Sequence, residues 1–178
     1  MIAIRRHLFR SILLPWEKIS STSGAWRYSY NCTKCAWAYE LRRRGYNVKA
    51  LPVISSNSSE DPFCTGMWRT AGSIEGKELD GIQILGNSGY AIMSNAITEI
   101  LKAEKGSRFF VCCQWRIGCG YMFNAEVENG VVRFLNPQKG NEYNLNDFEK
   151  MEPGTVGIFR SDTAKVGPDI LKAVEKMK

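Results

Sequence analysis

Residues 31–52 read NCTKCAWAYELRRRGYNVKALP, and this stretch decides the fold. Asn31 is a favoured helix N-cap, and no helix-breaking residue interrupts residues 32–44. Gly45 suits the left-handed position that often follows the end of a helix. We therefore predict a helix over residues 32–44 and an extended segment over residues 46–54.

The predicted helix carries small side chains on the surface that would face a neighbour. Cys35, Ala36 and Ala38 lie together with Leu41 on this surface. Small residues allow a helix to approach a flat partner closely, so we expect this helix to pack on a sheet.

The rest of the chain predicts a mixed α+β domain. Apolar residues recur at helical spacing in residues 89–105, and Asn129-Gly130 is a strong hairpin turn signal between two alternating runs. We interpret residues 63–86 as irregular. The further predicted elements are strands at 108–115, 121–128, 131–135 and 156–160 and a closing helix at 167–178.

Composition excludes several classes of protein. The chain has 178 residues, of which 44% are hydrophobic and 24% charged, as expected for one ordinary globular domain. No apolar run reaches the roughly 18 residues of a membrane span, and the stretch MIAIRRHLFRSILLPW does not have the pattern of a secretory signal. Six unevenly spaced cysteines predict reduced thiols inside a cell, with no disulfide framework. We predict no cofactor, no membrane association and no export by a signal peptide.

The net charge of +6 comes from the front of the chain, where basic residues outnumber acidic ones. Arg5, Arg6 and Arg10 lie among apolar residues, in a pattern typical of a short amphipathic helix. We interpret residues 1–25 as a basic N-terminal arm and residues 26–178 as the domain. The arm could pack on its own domain or dock on a partner. Nucleic-acid binding through these arginines is only weakly indicated, because no recognised binding motif accompanies them.

His7 is the single histidine of the whole sequence. Chemistry that needs a positioned imidazole is therefore nearly excluded, unless His7 itself reaches the site. It precedes Cys32 by a long stretch of the arm, so we do not expect it to serve there.

Cys32 is the cysteine best placed for chemistry. At the first position of a helix, unpaired backbone amides and the helix dipole favour a thiolate and lower its pKa. Three other interpretations stay open: a buried structural cysteine, a redox pair with Cys35, and half of a zinc site. No strand precedes the Cys32-x-x-Cys35 pair and no second Cys-x-x-Cys follows, which disfavours the redox and zinc readings.

Two motifs together resemble a known family. The stretch at 31–52 and the later stretch GYMFNAEVENGVVRFLNPQKG, at 120–140, are similar to the papain-fold toxin domains. These are glutamine deamidases or cysteine hydrolases found in bacterial polymorphic toxins and in phage head-morphogenesis proteins. The resemblance implies a papain-like cysteine hydrolase fold, with the helix that carries Cys32 packed on an antiparallel sheet. FRSD, at 159–162, fits the family's final strand.

The resemblance also assigns a catalytic site. Cys32 takes the position of the nucleophile, the family's histidine position falls on Tyr121, and its aspartate position falls on Asn136. Asparagine can orient an imidazole, whereas a phenol with a pKa near 10 is a poor proton acceptor near neutrality. Gln138 could belong to the substrate side of the site, although a polar residue that completes a turn is the simpler interpretation. We interpret the remaining five cysteines as core thiols.

We therefore expect a catalytically degenerate papain-like domain with a structural or binding role, most plausibly a head-associated virion protein of a phage. Its partner would be a protein of a large assembly, in a virion or a bacterial cytoplasm. The alternative is an active cysteine hydrolase or protein-glutamine deamidase toxin that uses Cys32. An immunity or decoy protein that mimics a toxin fits the missing histidine equally well.

Overall fold

The structure is a computed structural model that describes residues 31–54, 61–71 and 78–177. The predicted basic arm at 1–25 therefore lies outside the described residues, together with His7, the three arginines assigned to the arm, and the boundary between residues 25 and 26. These predictions stay predictions.

The described residues form an α+β fold, as predicted. Its elements in chain order are α1 (Cys32–Arg43), β1 (Val48–Ala50), a π-helix (Phe63–Met67), α2 (Trp68–Thr70), β2 (Gly81–Gln83), α3 (Gly89–Ile100), β3 (Arg108–Gln114), β4 (Gly120–Glu128), β5 (Val131–Asn136), β6 (Asn141–Glu142), α4 (Leu145–Phe148), β7 (Gly157–Arg160), a 3₁₀ helix (Pro168–Lys172) and β8 (Val174–Lys176).

Six strands form one antiparallel sheet in the order β2-β7-β3-β4-β5-β6, and β1 pairs with β8 in a separate two-stranded sheet. The hairpin between β4 and β5 has the predicted turn. Asn129 and Gly130 both have positive φ angles, of 53° and 79°, which match the type of turn that joins two twisted strands. Glu128 therefore lies opposite Val131, and the register of the hairpin is fixed from this turn.

Helix α1 packs on one face of the large sheet, as its small residues predict. Ala36 and Ala38 are fully buried, and the ring of Trp37 lies 4.7 Å from the ring of Phe110 on β3. The side-chain amide of Asn124, on β4, donates to the backbone oxygen of Ala36 at 3.2 Å. The helix end is also as expected, since Gly45 has a φ of +92°.

Buried ion pairs fix α1 on its remaining sides. The ammonium group of Lys34 lies 2.6 Å from the carboxylate of Asp61, and both side chains are almost fully buried. Glu40 is fully buried and accepts hydrogen bonds from Arg108, Arg44 and Ser161. An unpaired buried charge strongly destabilises the folded state. The helix is therefore most stable in the position on the sheet in which all of these contacts form.

The opposite face of the sheet is covered by α3 and α4. Its apolar core includes Phe123 of β4, Phe134 of β5 and Phe148 of α4, whose rings contact each other at 4.9–6.2 Å. In the part of the chain that is described, no helix is both long and apolar enough to cross a membrane.

Two sequence predictions are wrong. The closing helix expected over residues 167–178 is a short 3₁₀ helix followed by β8, because Val174 to Lys176 find hydrogen-bonding partners in β1. The segment 63–86, expected to be irregular, contains the π-helix, α2 and β2. Both errors concern short elements whose partners lie far away in the sequence.

Candidate active site

Cys32 begins α1 and is half-buried. Its sulfur lies 3.9 Å from the hydroxyl oxygen of Thr33, and the backbone N–H of Met122 on β4 donates to it. The helix start and the first residues of β4 therefore meet at the thiol. This is the arrangement that the resemblance implies for the helix and the sheet.

The pKa of Cys32 does not follow the sequence prediction. Loss of hydration raises the pKa of the thiol above its ordinary value, and the hydrogen bonds from Met122 and Thr33 offset only part of this. The helix start alone predicts a lowered pKa. The burial of the sulfur depends on the tertiary structure and raises the pKa instead. Cys32 is therefore a neutral thiol near neutral pH.

Tyr121 lies near the start of β4 with its ring half-buried. Its hydroxyl oxygen lies 2.7 Å from Oε1 of Gln138 and 3.0 Å from Oδ1 of Asn136. The phenol has a single hydrogen, which it donates to these two carbonyl oxygens. Burial raises the pKa of Tyr121 well above its ordinary value, and the neighbouring Tyr143 raises it further.

Asn136 ends β5 and is almost fully buried. Its side-chain amide donates to the hydroxyl of Tyr143 at 2.9 Å, and its Oδ1 accepts from the backbone N–H of Lys139 at 3.2 Å. These two contacts orient the carboxamide so that its oxygen faces Tyr121. The structure therefore brings Tyr121 and Asn136 together, as the resemblance implies.

Gln138 connects this group to the start of α1. Its side-chain nitrogen donates to Oδ1 of Asn31 at 3.2 Å, while its oxygen accepts from Tyr121. The sequence pattern predicts only a turn residue at position 138, because no local pattern reports a contact with Asn31.

Asn31 differs in detail from the predicted N-cap. It occupies the N-cap position, but its side chain makes no capping hydrogen bond to the helix backbone. Instead its Oδ1 accepts from the thiol of Cys35 at 3.3 Å, and its Nδ2 donates to the backbone oxygen of Leu51 at 2.9 Å. The side chain of Asn31 therefore makes its hydrogen bonds within the site and does not cap the helix.

Aromatic rings line the site beside Tyr121. The rings of Trp115 and Tyr143 lie 5.6 Å and 6.2 Å from that of Tyr121, and both side chains are half-buried. No sequence motif assigns these two residues to the site. Their only signal is aromatic character at the ends of strands, which is also typical of core residues.

The described residues contain no histidine, so no imidazole among them can accept the proton of Cys32. A buried neutral phenol cannot take the proton of a thiol near neutral pH. The single histidine, His7, lies outside the described residues.

The other five cysteines are free thiols, and only some of them are core residues. Cys35 and Cys113 are buried, Cys64 and Cys112 are half-buried, and Cys119 is exposed, which corrects the prediction for Cys119. In the described ranges, no group of three metal-binding side chains is arranged to hold a metal ion.

Comparison with known protein families gives a match over much of the chain. Residues 30–141 match the model of a family described as papain fold toxin 1, glutamine deamidase. This range is more than half of the chain and includes Cys32, Tyr121, Asn136 and Gln138. No curated protein and no solved structure matches the chain.

Proposed function

Because the chain belongs to the papain fold toxin 1, glutamine deamidase family, we propose that it binds a glutamine-bearing protein segment at the Cys32 site. We further propose that it hydrolyses the bound glutamine slowly or not at all. The observation that carries this proposal is Tyr121, which takes the position of the base and has a raised pKa.

Deamidation by a cysteine nucleophile shows what the site lacks. The sulfur attacks the carboxamide carbon to form a thioester, ammonia leaves, and water then hydrolyses the thioester to glutamate. A base must first take the thiol proton and then give it to the leaving nitrogen. Cys32 provides the sulfur, whereas Tyr121 provides a hydroxyl that is already a donor to Asn136 and Gln138.

The test is the substitution Tyr121→His, assayed by ammonia release from a glutamine-containing protein. An imidazole at this position would act as the proton acceptor for Cys32, so we expect activity to rise by about 10²-fold or more. Cys32→Ala in the same background should abolish the gain. A wild-type protein that already releases ammonia at the rate of Tyr121→His would overturn the proposal.

An active cysteine hydrolase or deamidase toxin is the second candidate. It is favoured by the family and by the position of Cys32, whose sulfur accepts from the Met122 amide at a helix start. Wild-type ammonia release that disappears with Cys32→Ala would establish it.

The partner and the compartment stay predictions. We propose a protein partner inside a bacterium, since the substrate group of the family is a protein side chain. The match names a toxin family and makes no connection with phage, so the virion role has no support beyond the original resemblance. A decoy or immunity protein is compatible with binding without turnover. Stoichiometric co-purification from a bacterial host would identify the partner.

A further inference from the structure

The carboxamide of Gln138 spans the site between the base position and the nucleophile helix. Its oxygen accepts from Tyr121 at 2.7 Å, and its nitrogen donates to Oδ1 of Asn31 at 3.2 Å. Asn31 immediately precedes Cys32 and is almost fully buried. One hydroxyl donor and one amide acceptor thus satisfy both ends of one carboxamide.

This pair of partners is complementary to any primary carboxamide. A carboxamide needs a donor for its oxygen and an acceptor for its nitrogen, and Tyr121 and Asn31 offer one of each. Asn31 is held in place by its own bonds to Cys35 and Leu51, so its acceptor is fixed before a ligand arrives. A glutamine side chain from another protein would present the same chemical group.

We propose that Gln138 occupies the carboxamide subsite of this protein and that a glutamine ligand must displace it. This inference rests on the proposed function, because it assumes that glutamine carboxamides bind at the Cys32 site. Gln138 is then an internal competitor, and the hydrogen bonds that it makes are those that the incoming side chain would make.

The backbone around Gln138 holds its carboxamide close to the subsite, so this carboxamide competes effectively with a glutamine ligand. Pro137 restricts the chain before it, and the backbone N–H of Gly140 donates to the backbone oxygen of Asn136 at 2.8 Å. A group held by such a short turn has an effective concentration on the order of millimolar or more. A free glutamine side chain therefore binds weakly until Gln138 moves away.

Two small electrophiles test the subsite without a known substrate. Iodoacetamide carries a primary carboxamide, and iodoacetate carries a carboxylate that cannot donate to Asn31. Both alkylate Cys32, and peptide mass spectrometry measures each rate at a fixed pH. With Gln138→Ala, we expect the ratio of the iodoacetamide rate to the iodoacetate rate to rise about tenfold.

The matched control is Gln83→Ala, which removes an exposed carboxamide that donates to the backbone oxygen of Gly154. The ratio should not change in this variant. A looser site in Gln138→Ala would raise both rates equally and leave the ratio constant, and that result overturns the inference. Gln138→Ser provides a second variant if alanine unfolds the turn.

Binding of a short glutamine peptide separates this inference from the proposed function. Calorimetric titration of wild type and Gln138→Ala should show tighter peptide binding in the variant, by about the tenfold factor expected for the alkylation ratio. A peptide that binds neither protein overturns the proposed function. A peptide that binds both proteins equally, with an unchanged alkylation ratio, overturns only the role of Gln138.

Discussion

Oδ1 of Asn136 lies 3.0 Å from the hydroxyl oxygen of Tyr121. The carboxamide is held in this orientation from outside the pair, by the backbone N–H of Lys139 and the hydroxyl of Tyr143. Because an imidazole is shorter than a phenol, a histidine ring at position 121 would meet this oxygen after a shift of one or both side chains. The slow or absent hydrolysis proposed above would then rest mainly on the side chain at position 121.

This relationship predicts that Asn136 matters for activity only when residue 121 is histidine. In the Tyr121→His background, Asn136→Ala should lower the rate of ammonia release by about 10²-fold, because the ring loses its orientation. Asn136→Asp should retain most of the activity, since a carboxylate also accepts from the ring. Equal rates for the alanine and asparagine forms would show that Asn136 does not orient the ring.

The pH dependence of Cys32 alkylation should reflect its raised pKa. The ordinary pKa of a thiol is about 8.5. In wild type, the rate of reaction with iodoacetamide should still rise about tenfold per pH unit beyond this pH. Tyr121→His should shift the midpoint to lower pH, because an imidazolium stabilises the thiolate. A wild-type rate that already reaches a plateau near pH 7 would contradict the burial of the sulfur.

The buried pair of Lys34 and Asp61 should be important for stability. Asp61 also accepts from the backbone N–H groups of Ile54 and Phe63, so Asp61→Asn leaves a buried ammonium ion without its counter-charge. We expect a loss of about 3–5 kcal/mol in the free energy of unfolding, measured by urea denaturation.

The matched control for Asp61→Asn is an exposed ion pair. Lys49 and Glu175 lie 3.0 Å apart with both side chains about half exposed, and Glu175→Gln should cost at most about 1 kcal/mol. Similar losses for the two variants would show that the Lys34 pair is not buried in solution.

Stability should fall in alkaline solution. Burial raises the pKa of Cys113 to about 12, and the same cause raises that of Cys64 to about 12. Because the unfolded chain ionises these thiols first, the stability they contribute is complete below about pH 8.5 and is lost as pH rises towards 12. Each thiol contributes up to about 1.4 kcal/mol per pH unit to this loss.

Urea denaturation of the reduced protein at pH 8 to 10.5 measures this slope. Cys113→Ala should make the slope shallower, because one buried thiol no longer titrates. Val111→Ala removes apolar contacts in the same core cluster and should lower stability equally at each pH. A slope that Cys113→Ala leaves unchanged would show that Cys113 ionises in the folded protein as readily as in the unfolded chain.

Local sequence patterns predicted the elements whose structure depends mainly on residues close together in the sequence. The breaker-free run before Gly45 and the Asn129-Gly130 turn each carry their own signal, and both are confirmed. Val174 to Lys176 carry no such signal, because their strand exists only through pairing with β1. Tertiary pairing of this kind overrides local preference, and a short segment does not reveal it.

A motif match predicted one contact within the candidate site. Cys32, Tyr121 and Asn136 were assigned from the resemblance, and the structure places Tyr121 and Asn136 in contact. The bond between Gln138 and Asn31 joins two motifs far apart in the chain, and no pattern within either motif reports it. The shift in the pKa of Cys32 was predicted in the wrong direction, because the burial of its side chain depends on the tertiary structure.

The pairing of β1 with β8 has a consequence for the order of folding during synthesis. Helix α1 leaves the ribosome long before β8, the strand that pairs with its neighbour β1. Part of the apolar surface of α1 therefore stays uncovered while most of the domain is translated. Nascent chains that stop before residue 174 should expose this surface to chaperones.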